Sequence, residues 1–147
     1  MSKNNLNTDF VSPQAAEAAF YAAFADCDLS AMSAVWADSG VVCIHPGSNI
    51  LIGRDEVMRS WANILLNSEP PNLHVEVLSR TEQDGMAVHV VEERISPAGL
   101  SAPLVSVVLA TNIYRLDANG WKLFEHHASV PRSQKNGNMT TAHRTIQ

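Results

Sequence analysis

The chain has 147 residues, a length typical of one domain. Apolar residues make up 46% of it, and ten Lys and Arg against 15 Asp and Glu give a net charge of −5. This composition excludes a collagen-like or wholly disordered chain, and the lack of a basic stripe argues against a nucleic-acid partner. We expect a single domain over residues 1–147, with its core at about 12–131 and mobile tails at 1–11 and 133–147.

The sequence predicts a cytoplasmic protein without a membrane span. Its first 11 residues contain Lys3 but no apolar run, so no secretory signal is expected. Cys27 and Cys43 match neither a disulfide framework nor a zinc motif, and apolar neighbours indicate free, buried thiols in a reducing compartment. Residues 95–114 lack charged side chains, but they contain two prolines and a glycine. That stretch is therefore interpreted as a loop followed by a strand.

The first half of the chain predicts three helices. Ser12-Pro13 is a helix start, because serine caps well and proline is tolerated in the first turn. Asp28 caps a second, short helix, and Asp55-Glu56 begins a third. Apolar residues follow each start at helical spacing.

Strands account for the rest of the fold. Residues 40–45 are predicted to form one strand, which Pro46-Gly47 ends. From residue 70 the apolar period is two: residues 73–83 and 86–95 flank Asp84-Gly85, and residues 104–116 and 121–130 flank a second turn at 117–120. Helices first and antiparallel strands after them predict an α+β fold, in which the helices cover one face of a curved sheet.

Strand alternation sorts the side chains of the second hairpin. A two-residue loop at either 118–119 or 119–120 leaves the same two faces. Arg115 and Lys122 mark one face as the outer one, so the other faces the helices. The predicted inner residues are Leu104, Val108, Ala110, Asn112, Tyr114, Leu116, Trp121, Leu123, Glu125, His127 and Ser129.

Two further expectations follow from this sorting. The outer face is still rich in Val, Leu and Phe, which predicts a homodimer that covers it. In the first hairpin, Val75, Val77, Ser79, Thr81, Met86, Val88 and Val90 share the more apolar face, which places His74 and His89 on the outer one.

Several short motifs together resemble one family. They are Phe20-Tyr21-Ala22-Ala23-Phe24 with Cys27-Asp28-Leu29, Val35-Trp36-Ala37-Asp38, His45-Pro46-Gly47, Ile52-Gly53-Arg54 with Trp61, and Trp121-Lys122-Leu123 through Ser129. Their order and spacing resemble the SnoaL-like and ketosteroid-isomerase-like branch of the nuclear-transport-factor-2-like fold. The resemblance implies a cone: a curved antiparallel sheet wrapped around a long N-terminal helix, an apolar pocket inside, and dimers through the outer face of the sheet.

The catalytic positions of the isomerase branch carry different residues here. The aspartate base that precedes a proline corresponds to His45, the tyrosine of the first helix to Phe20, and the second oxyanion donor, an aspartate, to Asn112. The resemblance therefore implies the pocket but not the steroid-isomerase triad, and the same cone hosts isomerases, cyclases, dehydratases and non-catalytic modules.

The leading hypothesis is a small-ligand protein, an isomerase-, cyclase- or lyase-like enzyme that needs no cofactor. His45 would remove a proton next to a carbonyl held by Asn112, and His127 or Glu125 would assist. Phe20, Trp61, Tyr114 and Trp121 would line the pocket for an apolar or aromatic molecule. A metal site of His45, Glu125 and His127 lacks support from local spacing. The alternative hypothesis is a non-catalytic, dimeric interaction module with a filled interior.

Overall fold

The computed structural model describes residues 9–99 and 104–132, so most of both predicted tails lies outside the described residues. The elements in chain order are α1 (Pro13–Ala25), α2 (Leu29–Val35), β1 (Val42–Ile44), β2 (Leu51–Ile52), α3 (Arg54–Leu66), β3 (Asn72–Gln83), β4 (Met86–Ser96), β5 (Ser106–Asp117) and β6 (Gly120–Ser129). None of the helices in these two ranges is long and apolar enough to cross a membrane.

The predicted helix starts are confirmed. The Ser12 side chain accepts a hydrogen bond from the backbone N–H of Ala15 at 3.0 Å, and Asp28 accepts one from Ala31 at 3.0 Å. Helix α3 begins after Gly53, with Asp55 and Glu56 in its first turn. Each start depends on contacts within four residues, which is why the local sequence predicted it.

One six-stranded sheet in the order β2-β1-β6-β5-β4-β3 carries the fold. All its pairs are antiparallel except β1 with β6, which run parallel. The predicted α+β cone is confirmed, with one correction: the sheet is mixed rather than wholly antiparallel. β1 lies within the strand predicted at residues 40–45, and β2 is a short strand that was not predicted. The parallel pair places β1 between β2 and β6, so the end of β1 lies next to β6.

Two β-bulges change which side chains face the helices. In β3 the register shifts at Leu78, because Val77 pairs with Val91 but Ser79 pairs with Val90. In β6 it shifts at Phe124, the residue between the partners of Tyr114 and Ile113. A bulge inserts one extra residue, so every side chain beyond it changes face relative to simple alternation.

The inner face of the sheet packs against α1, α2 and α3. The core contains Phe20, Trp36, Trp61, Tyr114 and Leu123, each with at most 1% of its surface exposed. Polar side chains lie in the same layer: one row across the sheet runs from Arg80 through His89, Asn112 and His126 to Cys43. Buried polar side chains in an apolar layer are typical of functional sites, and this row is therefore the candidate.

Candidate functional site

His45 lies directly after β1, at the end of the strand that the parallel pairing brings next to β6. Its Nε2 is 2.9 Å from Ser60 Oγ on α3, and Ser60 itself donates to the Val57 carbonyl at 2.8 Å. Cys43 Sγ lies 3.6 Å from the same nitrogen. Because the single hydroxyl proton of Ser60 goes to the Val57 carbonyl, we assign the ring hydrogen to Nε2 of His45, which leaves Nδ1 as the proton acceptor. Burial lowers the pKa of His45, so the half-buried ring is neutral at pH 7.

His126, not His127, is the inward histidine of β6. It pairs with Asn112 and has 2% of its surface exposed, whereas His127 pairs with Thr111 and is exposed. The inward orientation predicted for His127, Glu125 and Ser129 is wrong, because the bulge at Phe124 turns all three to the outer face. Leu104 and Leu116, also predicted to face inward, are exposed near the strand ends.

His126 is the end of a buried chain of hydrogen bonds. Its Nδ1 lies 2.5 Å from Asn112 Oδ1, Asn112 Nδ2 donates to the Tyr21 hydroxyl at 2.8 Å, and Tyr21 donates to Glu93 Oε2 at 2.6 Å. Burial, reinforced by the nearby His45 and His127, lowers the pKa of His126 to about 3, and burial raises the pKa of Glu93. Asn112 is thus bonded at both ends of its amide; its predicted role at a substrate carbonyl stays a prediction.

Tyr21 and Glu93 were not selected from the sequence. The family resemblance matched the tyrosine of the first helix to Phe20, and Tyr21 is the next residue. A shift of one residue along a helix turns a side chain by about 100°, so the two face different directions. Glu93 stands next to another glutamate in β4, and only the strand register shows which of the two faces inward.

A second polar cluster lies between α1 and the sheet. Glu17 Oε2 accepts from Arg80 at 2.6 Å and lies 3.3 Å from His89 Nδ1. The ring centroids of His89 and Tyr114 are 4.9 Å apart, and the two rings are tilted by 53° to each other. His89 is 1% exposed, so its predicted place on the outer face is wrong. The inner face of β4 consists of Ala87, His89, Val91 and Glu93; His74, in contrast, is exposed as predicted.

Trp61 connects the two inward histidines. Its ring centroid is 4.9 Å from that of His45 and 6.0 Å from that of His126, and the two imidazoles are 6.3 Å apart. Phe20, Trp61 and Tyr114 have no exposed surface, and Trp121 has 6%. These four side chains are therefore packed in the core, and the pocket-lining role predicted for them stays a prediction.

Possible metal ligands and the two thiols lie apart from one another in most of the described part of the chain. There, no three His, Cys, Asp or Glu side chains are grouped so that they could hold a metal ion. Cys27 and Cys43 are both unpaired, as predicted; Cys43 is buried, which raises the pKa of its thiol to about 12, and Cys27 is half-buried.

The geometry of the site permits proton transfer. Two neutral imidazoles lie against one tryptophan, and each is held through one ring nitrogen by a neighbouring polar group, Ser60 or Asn112. His45, the less buried of the two, can therefore act as a proton acceptor, whereas the enclosed His126 stays neutral and can only accept or donate a hydrogen bond. The cone-shaped α+β fold that holds these groups is that of the nuclear-transport-factor-2-like class of proteins.

Comparison with known proteins confirms this class and narrows it. The model of the SnoaL-like domain matches residues 14–133, and the chain belongs to that family. Among proteins with curated functions, none matches the chain.

Solved structures give the same result. A candidate calcium/calmodulin-dependent protein kinase type II association domain from Thiobacillus denitrificans is 38% identical, with a TM-score of 0.79 over 84% of this chain and 98% of that one. A candidate dehydratase of the NTF2-like family from Streptomyces avermitilis is 35% identical, with a TM-score of 0.72 over 80% of this chain and 92% of that one. A ketosteroid isomerase-like protein from Erwinia carotovora shares the fold at 17% identity and a TM-score of 0.67, covering 89% of this chain and 100% of that one.

Proposed function

We propose that this protein is an acid–base enzyme of the isomerase, cyclase or lyase type that acts without a cofactor on a small apolar or aromatic molecule. The observation that carries the proposal is the pair of neutral imidazoles, His45 and His126, against the Trp61 ring. Similarity to a candidate dehydratase adds support.

His45 is the proposed base. Its Nδ1 accepts a proton from a carbon next to a carbonyl, and the C–H electron pair remains on the substrate as an enolate. The imidazolium then returns the proton to another carbon, which is an isomerisation, or to a departing hydroxyl group, which yields water and a double bond. Ser60 holds the ring throughout, because its hydroxyl accepts the Nε2 hydrogen. His45 is half-buried, so a substrate reaches it more readily than the fully enclosed Asn112.

Exchange of hydrogen for deuterium tests the first step without a known substrate. The protein in D2O is expected to incorporate deuterium next to the carbonyl of at least one of three probes: a 3-ketosteroid, tetralone and acetophenone. His45→Gln should lower that exchange rate by about 10²- to 10⁴-fold, the usual contribution of a general base. Mass spectrometry of the recovered ketone measures the deuterium incorporated over time.

His74→Gln is the matched control, since His74 is exposed on β3 and should leave the exchange rate unchanged. If circular dichroism shows that His45→Gln is folded and its exchange rate equals that of the wild type, the role of His45 is contradicted. Absence of exchange with every probe, together with loss of stability in His45→Gln, would favour a second candidate function.

That second candidate is a non-catalytic association module. It is favoured by the closed interior, where Phe20, Trp61, Asn112 and Tyr114 have no exposed surface, and by similarity to a candidate association domain. An interior filled by side chains leaves the outer surface to carry the function.

Both candidate functions are compatible with a homodimer, which we also propose. The outer face of β5 presents Val107, Leu109 and Ile113, and a groove of about 660 Å³ beside them is lined by Val105, Val130 and the charged residues Glu92, Arg94 and Arg132. In a two-fold interface the same patch meets itself, so a patch with both charge signs and an apolar centre is complementary to its own copy.

A charge placed at the centre of this face should separate the dimer. Leu109→Glu is expected to give a monomer by size exclusion with light scattering, because a carboxylate would be buried against apolar side chains. Leu66→Glu, on the exposed end of α3, is the control and should remain dimeric. A wild-type chain that is monomeric at micromolar concentration would overturn the proposal.

A further inference from the structure

The buried chain from Glu93 to His126 runs in one direction. Tyr21 donates its only proton to Glu93 Oε2, so its oxygen is left to accept the N–H of Asn112. The amide nitrogen of Asn112 thus points at Tyr21, and its oxygen points at His126. Since an amide oxygen only accepts, the hydrogen of the His126 ring is on Nδ1.

All four side chains are enclosed, with 8% of Tyr21, 2% of Glu93 and His126, and none of Asn112 exposed. Water therefore does not compete for these bonds, and each donor or acceptor needs a partner inside the protein. Reversing one bond would leave two like groups facing each other unless the whole chain reversed with it.

We propose that Glu93 is a positioning residue, which acts through Tyr21 and Asn112 to hold His126 in the tautomer that carries its hydrogen on Nδ1. Nε2 is then the hydrogen-bond acceptor of the His126 ring. Glu93 defines the direction because it lies at the acceptor end: without its carboxylate, the Tyr21 proton would turn to the Asn112 oxygen. The amide would then rotate and donate to Nδ1, and the ring hydrogen would move to Nε2.

The catalytic use of this tautomer rests on the proposed function, in which His126 is the second inward imidazole beside His45. With its hydrogen on Nδ1 the ring offers Nε2 as a hydrogen-bond acceptor, and with its hydrogen on Nε2 it would offer a donor there instead. Glu93 would therefore decide whether His126 accepts or donates a hydrogen bond in the site, from a position that never touches the substrate.

Nitrogen NMR of the histidine rings tests the proposal independently of activity. With 15N-labelled histidine, protonated and unprotonated ring nitrogens have distinct chemical shifts, and the signals of His126 are identified by their loss in His126→Gln. We expect hydrogen on Nδ1 in the wild type and on Nε2 in Glu93→Met. Glu92→Met is the matched control, because Glu92 bonds Arg94 on the other face of β4, and it should retain the wild-type tautomer.

Tyr21→Phe serves as the second variant, since it removes one hydroxyl and keeps the ring that packs on Phe20. Because Asn112 then loses its orienting partner, ring hydrogen should no longer be held on Nδ1 alone, and a mixture of both tautomers is expected. Hydrogen on Nε2 in the wild type, or on Nδ1 alone in both Glu93→Met and Tyr21→Phe, would overturn the proposal. If the tautomers are as expected but the protein exchanges no ketone protons, the proposed function is contradicted and the role of Glu93 is not.

Discussion

Acid is expected to weaken the fold strongly, because His126 is buried in its neutral form. The pKa of His126 is about 3 in the folded chain, against an ordinary value of 6.5. Between these two values the unfolded chain binds a proton that the folded chain does not, so the free energy of unfolding falls as the pH falls. The slope is about 1.4 kcal/mol per pH unit, or roughly 4 to 5 kcal/mol over the whole window for this one histidine.

Other buried groups modify this slope. Burial also lowers the pKa of His45 and His89, and both therefore destabilise the fold as the pH falls through 6.5. Glu93 has the opposite effect, because burial raises its pKa in the folded chain above the ordinary value of 4.5. Between 4.5 and that raised pKa the folded chain holds a proton that the unfolded chain has lost, so acid favours folding there. Three histidines outweigh one glutamate, and stability should fall from pH 7 to pH 4.

Urea unfolding at a series of pH values measures the effect. His126→Gln should lower stability at pH 7 but flatten the dependence below pH 6.5, since the substituted residue does not titrate. His74→Gln, at an exposed position on β3, is the control and should leave the pH dependence unchanged. An equal slope in wild type and His126→Gln would mean that His126 titrates normally and is not enclosed.

Replacing Trp61 by alanine is expected to cost about 3 to 5 kcal/mol, the usual loss for a large aromatic side chain in a packed core. The Trp61 ring has no exposed surface and lies 5.5 Å from Phe20, 5.3 Å from Phe24 and 4.9 Å from His45, between ring centroids. Its removal would leave a cavity among these rings and release both inward histidines from a common contact.

Trp61→Phe is the conservative partner of this variant. The Trp61 indole nitrogen has no hydrogen-bond partner among the residues that the structure describes, so phenylalanine loses packing but no polar contact. Chemical denaturation should place it between wild type and Trp61→Ala. A cost below about 1 kcal/mol for the alanine variant would indicate that Trp61 lines an open pocket, as the sequence predicted, because a side chain facing solvent leaves no enclosed cavity.

Local sequence signals predicted much of the fold. The helix starts at Ser12 and Asp28 and the turn at Asp84-Gly85 were all predicted at their observed positions. Asp84 and Gly85 both have positive φ angles, 51° and 78°, which is the conformation that this pair of residues favours in a two-residue hairpin. Each feature depends on a few neighbouring residues.

The candidate site was predicted only in part. The family resemblance selected His45 and Asn112, and the structure places both beside or within the polar row of the sheet. Simple alternation then selected His127 and Glu125, and it failed because Phe124 bulges out of β6. No glycine or proline beside Phe124 marks the bulge, which is seen only in the register of β6 against β5.

The sequence by itself determined the α+β class, the capped helices, the hairpin turns and an apolar enclosure with a few polar groups. Only the tertiary structure decided that His126 faces inward and that Tyr21, Asn112 and Glu93 join it in one chain of hydrogen bonds. The physical reason is range: caps and turns form between residues a few positions apart. Tyr21 and Glu93 are 72 positions apart, and they meet only when the helix packs on a sheet whose register is complete.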